Sequence, residues 1–359
     1  MGLRLRDRIY PGKIQLSSDS QPLWVHCASV GEFNTFKPIL RELRRRYPVV
    51  LTYFSPRAEE FLSSGSTLYD ALYPLPLDLP PLIRRFESIV RPRAIIIVER
   101  ELWPSLLMST RSKKILVNAY AKESFLERLL VRKYSLILAR SEEDRELFER
   151  EGAKRVVVCG NLKLVQEGSP EKIELGIGEE CRLLVGGSTR EGEEELLLRL
   201  FAELRSSFPL KLVLAPRHVE RAEEVHRLAQ SMGFKTSRWS SPDPKWEVLI
   251  VDTLGKLRSF YELADVTFVG GTFSSVGGHN LIEPAYLGKP VVFGPRTHKV
   301  KDMEELLLKE GYGFRAENYG ELKRIVEKLL REGFRPARDL KSHSVEVKRC
   351  YLENLLAEL

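Results

Sequence analysis

The 359-residue sequence is poor in cysteine: Cys27, Cys159, Cys181 and Cys350 are its only four, and no two form a CxxC pair. That scarcity suggests neither a zinc site nor a disulfide framework and favours a reducing, cytoplasmic setting. Long apolar runs are also missing. The longest β-branched stretch, Ile95-Ile96-Ile97-Val98, is far short of the roughly 18 residues of a membrane-spanning helix. The start, Met1-Gly2-Leu3-Arg4-Leu5-Arg6, has no apolar signal-peptide core, so neither a span nor export is expected. Walker GxxxxGK[ST], HExxH and Asp-x-Asp are all absent, and the first strand-to-helix turn lacks GxGxxG, which removes the main support for a dinucleotide enzyme. No low-complexity tract or short-period repeat is present.

What is present is an ordinary globular composition, 43% apolar and 30% charged. The length is most simply two domains. The net charge of +7 is uneven: residues 1–160 hold 27 Lys and Arg against 19 Asp and Glu, leaving 30 against 31 for the rest. A basic first half implies an anionic partner, which on charge alone is nucleic acid, a membrane surface or a phosphorylated substrate.

Short β-branched or apolar runs alternate with stretches of 3–4-residue apolar spacing. Leu23–Ala28, Val49–Phe54, Ala94–Val98, Ile115–Asn118, Leu136–Ala139 and Val156–Cys159 form one series, and Leu183–Val185, Leu212–Ala215, Val248–Val251, Val266–Val269 and Pro290–Phe293 a second. The pattern predicts an α/β protein with two doubly wound parallel-sheet domains in tandem. We place them at residues 1–165 and 166–340, joined through the polar stretch Gln166–Glu180. Residues 341–359 form a C-terminal helix expected to pack back on the first domain. His26 on an alternating strand reads as a core residue, and Ser141-Glu142-Glu143-Asp144 as a capped helix start.

Ligands of open parallel sheets bind beyond the carboxyl ends of the strands, so chemistry belongs in those loops. After the first run comes Ser29-Val30-Gly31-Glu32; Glu32 either complements a helix macrodipole or, with Gly31 permitting close approach, acts as a general base. Glu99 and Glu101 flank Arg100 after Val98 and could hold a hydroxyl, a cation or a local salt bridge. Lys163 follows Gly160-Asn161 as a candidate anion binder. In the second half, Gly186-Gly187-Ser188-Thr189 reads as an anion-binding turn or a plain helix cap, and Pro216-Arg217-His218 presents two potential cations at a strand end. Gly270-Gly271 through Gly277-Gly278-His279-Asn280 to Glu283-Pro284 is the strongest single feature. Its glycines open the backbone to a ligand, and a helix starting near His279-Asn280 offers its N-terminus to phosphate, with Glu283 placed to accept from ribose hydroxyls.

Taken in order, Trp24-Val25-His26 with Ser29-Val30-Gly31-Glu32, Glu99 with Glu101-Leu102-Trp103-Pro104, Asn118-Ala119, Gly160-Asn161 with Lys163, Ser188-Thr189, Pro216-Arg217-His218, Asp252-Thr253-Leu254-Gly255-Lys256 and the glycine segment to Glu283-Pro284 resemble the Kdo transferases of lipopolysaccharide synthesis. Those are inverting glycosyltransferases of the GT-B type, with two Rossmann-like domains about a cleft. The resemblance implies transfer of Kdo from CMP-Kdo to a hydroxyl of the tetraacyl lipid A precursor, with no cofactor and no metal. It implies Glu32 as the base, with Glu99 and Lys163 assisting. For the donor it implies Ser188, Thr189, Pro216, Arg217, His218, Leu254, Gly255, Lys256, Gly271, Gly277, Gly278, Asn280, Leu281, Ile282 and Glu283. Where many relatives read Asn-Ala-Arg this chain has Asn118-Ala119-Tyr120, and their Gly-Pro-His-Thr segment is replaced by Gly294-Pro295-Arg296-Thr297. Many relatives also begin with an apolar anchor helix. Here peripheral association with an anionic membrane, at the cytoplasmic face of the inner membrane, is expected instead. It would use Gly31, Lys37, Arg41, Arg44 and Arg45 around the apolar stretch Phe36–Tyr47, and Arg84 and Arg85. Nucleic acid then drops out as a partner. Another GT-B enzyme using a UDP-sugar, a transferase or an epimerase, is the alternative.

Overall fold

The computed structural model describes residues 5–9, 20–63 and 67–359; Met1–Arg4, part of the start expected to hold no signal-peptide core, lie outside them. The alternating pattern folds as two seven-stranded sheets. The first contains β1 (Leu23–His26), β2 (Val49–Tyr53), β3 (Ala71–Pro74), β4 (Ala94–Val98), β5 (Lys113–Ala119), β6 (Leu136–Ala139) and β7 (Val156–Val158). Their order is β3-β2-β1-β4-β5-β6-β7, parallel throughout. The second contains β8 (Arg182–Thr189), β9 (Leu210–Pro216), β10 (Thr236–Arg238), β11 (Val248–Ile250), β12 (Val266–Val269), β13 (Val291–Phe293) and β14 (Gly313–Arg315). It is also all parallel, in the order β10-β11-β9-β8-β12-β13-β14.

Parallel strands joined by helical crossovers have both faces covered, which is why the central ones read as unbroken apolar runs. Every residue of β1, β2 and β4 is buried. Leu23 and Val25 point into one layer with Phe36, Ile39 and Leu40 of the helix Val30–Arg44, while Trp24, Ile95 and Ile97 point into the other with Phe86. His26 is wholly buried, with Nδ1 3.0 Å from Thr52 Oγ1, and burial pushes it down to about 3. Three strands escaped the sequence pattern: β3, β10 and β14. Each is a three- or four-residue edge strand with partly exposed side chains, so no apolar alternation marks it.

Strand order reverses beside the first strand of each sheet, between β1 and β4 and between β8 and β12. The loops leaving the carboxyl ends diverge at those two places, which makes them the natural ligand crevices of the fold.

Two compact units result: Met1–Val165 with Ser344–Leu359, and Gln166–His343. The helix Leu340–Glu358 lays Val347, Tyr351 and Leu355 into the first unit's core, and Tyr351 Oη donates to the Gly160 carbonyl at 2.9 Å. This packing overturns the expectation drawn from the cysteines. Cys159 and Cys350, 191 positions apart, are brought to a Cα–Cα distance of 5.5 Å and joined as a disulfide. Separation along the chain says nothing of separation in space once a terminal helix returns, and cysteine usage no longer argues for a reducing compartment. Cys27 and Cys181 remain free thiols. Unfolded without reductant, the protein is expected to react with a thiol reagent at two cysteines, and after reduction at four, read by intact mass. Reduction should cost about 2–4 kcal/mol of stability. Four reactive thiols in the unreduced protein would remove the cross-link.

Candidate functional site

In the first unit the chemistry gathers beyond β1 and β4. Ser29 caps the helix Val30–Arg44: its hydroxyl accepts from the Glu32 amide at 3.3 Å and donates to Glu32 Oε1 at 3.1 Å, while Oε2 accepts from the Ala28 amide at 2.6 Å. This is a variant of the capping box, the carboxylate reaching the N–H of the residue just before the cap, so the helix-start reading of Glu32 holds structurally. Backbone donors should lower a carboxyl pKa, yet burial, then Glu101, with Glu99 adding to them, push Glu32 up to about 8. A carboxyl that changes charge near neutral pH is what a general base requires. Capping and base roles are therefore compatible.

Glu99 follows β4 in the left-handed region, φ 62°, and Asn118 near the end of β5 does the same at φ 52°. Glu99 Oε1 lies 3.3 Å from Asn118 Nδ2, 3.0 Å from Arg140 Nη2 and 3.8 Å from Lys163 Nζ. Asn118 also accepts from the Leu162 amide at 2.9 Å through Oδ1, tying the Lys163 loop to β5. Arg140, which the sequence reading passed over, donates through Nε to the Asn118 carbonyl at 2.9 Å and has Tyr120 against its guanidinium at 4.5 Å. It follows β6 directly, so the strand-end rule applied once more would have found it. Burial also raises the Glu101 carboxyl. Arg100 pairs with Glu127 at 3.0 Å and forms no local bridge between Glu99 and Glu101. Glu32, Glu99 and Lys163 thus belong to one polar cluster of the first unit.

In the second unit a cavity of about 430 Å³ is lined by Ser188, Arg217, Gly255, Asn280 and Glu283, all anticipated, and by Leu257, Arg258, Tyr261 and His279, which were not named as donor-binding. Asn280 Nδ2 donates to Glu283 Oε1 at 3.3 Å, and burial raises the Glu283 carboxyl against the opposing charge of Arg258. Several expectations need correction. Gly186 to Thr189 is the end of β8, not a turn; a Cβ on Gly187 would fall 2.0 Å from Tyr261 Oη, so that glycine is there for packing. Thr189 is fully buried. The helix of the glycine segment begins only at Ile282 and has five residues, too short for a strong end dipole. The Gly271, Thr272, Phe273 and Ser274 amides all donate to the buried carboxylate of Glu193, at 2.7–3.3 Å, so Gly271 offers its N–H to protein and not to ligand. Gly277, at φ 90°, leaves room for the His298 ring, and Gly278 for Val300. Leu281 and Ile282 are fully buried, as is Pro216 nearly so at the end of β9, while Leu254 is 78% exposed and Lys256 is paired with Glu171 at 2.6 Å. Among the described residues no three His, Cys, Asp or Glu side chains are gathered as a metal site.

The expected membrane surface is also redistributed. Phe36, Leu40 and Leu43 are core residues, Arg44 pairs with Asp70 and Arg45 with Glu42, so the apolar side of Phe36–Tyr47 is not available. Gly31, Arg41, Arg84 and Arg85 are exposed and Lys37 half-buried. Exposed apolar side chains concentrate on the helix Phe125–Leu130, with Phe125 83% exposed beside Leu126 and Leu129, and on Met108 of the adjoining helix Pro104–Ser109. Among the described residues no helix is long and apolar enough to cross a membrane.

The raised Glu32 pKa has a stability consequence. Between about pH 4.5 and 8 the folded state keeps a proton that the unfolded state has released, so this group's contribution to stability declines as pH rises through that window. Glu32→Gln keeps an acceptor for the Ala28 amide without the charge. It is expected to melt a few degrees above the parent at pH 8 and level with it at pH 4; a gap that does not widen with pH counts against buried ionisation.

Comparison with known proteins identifies the family and the fold. Residues 4–166 match the family described as 3-Deoxy-D-manno-octulosonic-acid transferase (kdotransferase). A 3-deoxy-D-manno-octulosonic acid transferase of Aquifex aeolicus (strain VF5) is 46% identical over 99% of this chain and 98% of its own length. One from Bordetella pertussis is 32% identical over 82% of this chain and 76% of its length. Among solved structures, the glycosyltransferase of kitacinnamycin matches 95% of this chain and all of its own with a TM-score of 0.60 at 15% identity, a likeness of fold. Two parallel α/β units of this kind are the GT-B architecture, and with near-complete alignment to such relatives the chain belongs to the Kdo transferases, a family of glycosyltransferases.

Proposed function

We propose that the protein moves Kdo from CMP-Kdo to a hydroxyl of the tetraacyl lipid A precursor with inversion, Glu32 serving as base. The observation that carries this reading is the Glu32 carboxyl, fixed by the helix cap and raised to about 8 beside Glu99 and Glu101. Ionised Glu32 takes the proton of the acceptor hydroxyl as its oxygen attacks the anomeric carbon. The bond from that carbon to the phosphate oxygen breaks, and its electron pair leaves with CMP. Glu99, held by Asn118 and Arg140, orients Lys163, whose ammonium offsets charge at the reacting centre. Arg217, Ser188, Asn280 and Glu283 of the second unit's cavity hold the CMP portion. Cationic side chains suffice for the charge on a departing monophosphate, so the chemistry calls for no divalent ion.

The acceptor is a phosphorylated lipid, and the surface suits it. Phe125, Leu126 and Leu129 are exposed and bordered by Lys122, Arg132 and Lys133, the combination that attaches a protein peripherally to an anionic bilayer. With a cytidine-linked donor, the reading puts this attachment at the cytoplasmic face of the inner membrane.

Mass spectrometry of the lipid formed from CMP-Kdo and the tetraacyl precursor tests donor and acceptor together: the lipid should gain one or more Kdo units as CMP is released. Glu32→Gln should fold and lose at least about 100-fold in rate, and the parent's rate should rise with pH toward a plateau above about 8, where Glu32 is ionised. Full activity in that variant removes Glu32 from the reaction. Thermal protection by UDP and not by CMP would overturn the donor. Separately, Phe125→Ser with Leu129→Ser should weaken binding to anionic vesicles by at least about fivefold while leaving CMP binding intact; unchanged vesicle binding moves the membrane contact elsewhere.

A further inference from the structure

Arg190 leaves the end of β8, and its side chain is held between imidazoles from two other strand-end loops. Nε donates to His279 Nε2 at 3.1 Å, and Nη1 lies 2.8 Å from His218 Nε2. A guanidinium can only donate, so both Nε2 atoms accept and each ring carries its proton on Nδ1. Among the described residues neither Nδ1 has an acceptor, and the remaining guanidinium N–H groups are also left to donate. The result is a set of donors from β8, β9 and the glycine segment with nothing to receive them.

The same place carries unbalanced charge. Among the described residues Arg190, Arg217 and Lys299 form no ion pair, although Arg221, three positions beyond His218, is paired with both Glu194 and Glu224 at 2.9 and 3.0 Å. Glu193 makes no ion pair with the Arg190 guanidinium, its oxygens accepting instead from backbone amides, that of Arg190 included at 2.9 Å. Burial, then Arg190, Arg217 and Lys299, push His279 down to about 4, which places three cations within electrostatic reach of one ring. His279 itself lines the cavity. Glu283 is within electrostatic reach of Arg217, but among the described residues no carboxylate pairs with Arg190 or Lys299, and cations so gathered are a local cost that an arriving anion reduces.

We propose that Arg190, His218 and His279, with Lys299 beside them, form a carboxylate subsite bordering the nucleotide cavity, and that it takes the acid group of the donor sugar. This inference rests on the reading of the second unit as the CMP-Kdo site. The donor has two anionic groups, a phosphodiester and a carboxylate, and in a 2-keto sugar acid both are attached to the anomeric carbon. A carboxylate site must therefore adjoin the phosphate site, as His279 adjoins the cavity. The subsite recognises the donor and not the product, since the carboxylate departs with the sugar and CMP lacks it.

Titration calorimetry of CMP-Kdo and of CMP against the full-length protein separates the two anions. Arg190→Gln is expected to weaken CMP-Kdo at least tenfold while leaving CMP within twofold. His218→Gln, at an exposed position, should weaken CMP-Kdo alone by about threefold and keeps the test open if the first variant folds poorly. Equal loss of both ligands would make Arg190 a phosphate contact and overturn the proposal, and so would no loss of either. A parent protein that binds no CMP overturns the CMP-Kdo reading itself, whereas a parent that binds CMP with variants lacking the selective loss overturns only the carboxylate subsite.

Discussion

The sheets are buried on both faces, and this constraint organises everything else. Strands such as β1, β2 and β4 carry few polar side chains, and those of His26 and Thr52 bond each other. Polar chemistry is displaced to the carboxyl ends, where backbone groups turn away from the ladder. At those ends the chain accepts conformations it avoids elsewhere: Glu99, Asn118 and Ser188 all adopt positive φ without being glycine. Each such residue costs of order 1 kcal/mol or more. In the first unit the compensation is visible, because Asn118 bonds both Glu99 and the Leu162 amide, and Arg140 closes the set from β6.

Two carboxylates show how environment divides the work among chemically identical groups. Glu193 is almost wholly buried, yet its oxygens collect a row of backbone amides that organise the glycine segment. It is a structural anion at the place where a ligand phosphate was expected. Glu32 also accepts backbone and hydroxyl donors, but it faces Glu101 and Glu99 and little solvent, and its proton is held to about 8. Having the same side chain within a few positions of a helix start produces a strut in one unit and a titrating group in the other.

The basic excess of the first half divides likewise. Much of it is neutralised locally, as Arg44 with Asp70 and Arg128 with Glu151 show. The charge with functional meaning is the fraction left without a partner. In the near-neutral second unit Arg190, Arg217 and Lys299 gather about the His279 ring, so a balance of 27 Lys and Arg against 28 Asp and Glu over residues 166–343 conceals a locally cationic corner.

Period and punctuation in the sequence were enough to determine two parallel α/β layers, because burial on both faces forces apolar runs and strand-end glycines are local requirements. They also singled out Glu32, Glu99 and Lys163, and the cavity-lining Arg217, Asn280 and Glu283, all on segments that leave the carboxyl ends of strands, Glu99 and Arg217 directly. Contacts between distant segments were decided only by tertiary structure. The Cys159–Cys350 bond, the seizure of the Gly271–Ser274 amides by Glu193, the burial of Phe36 and Leu40, and the clasp of Arg190 by two histidines all join residues whose separation in sequence carries no trace of their meeting. Local pattern specifies what a residue can do; packing across the fold specifies which partner it meets and therefore which of those things it does.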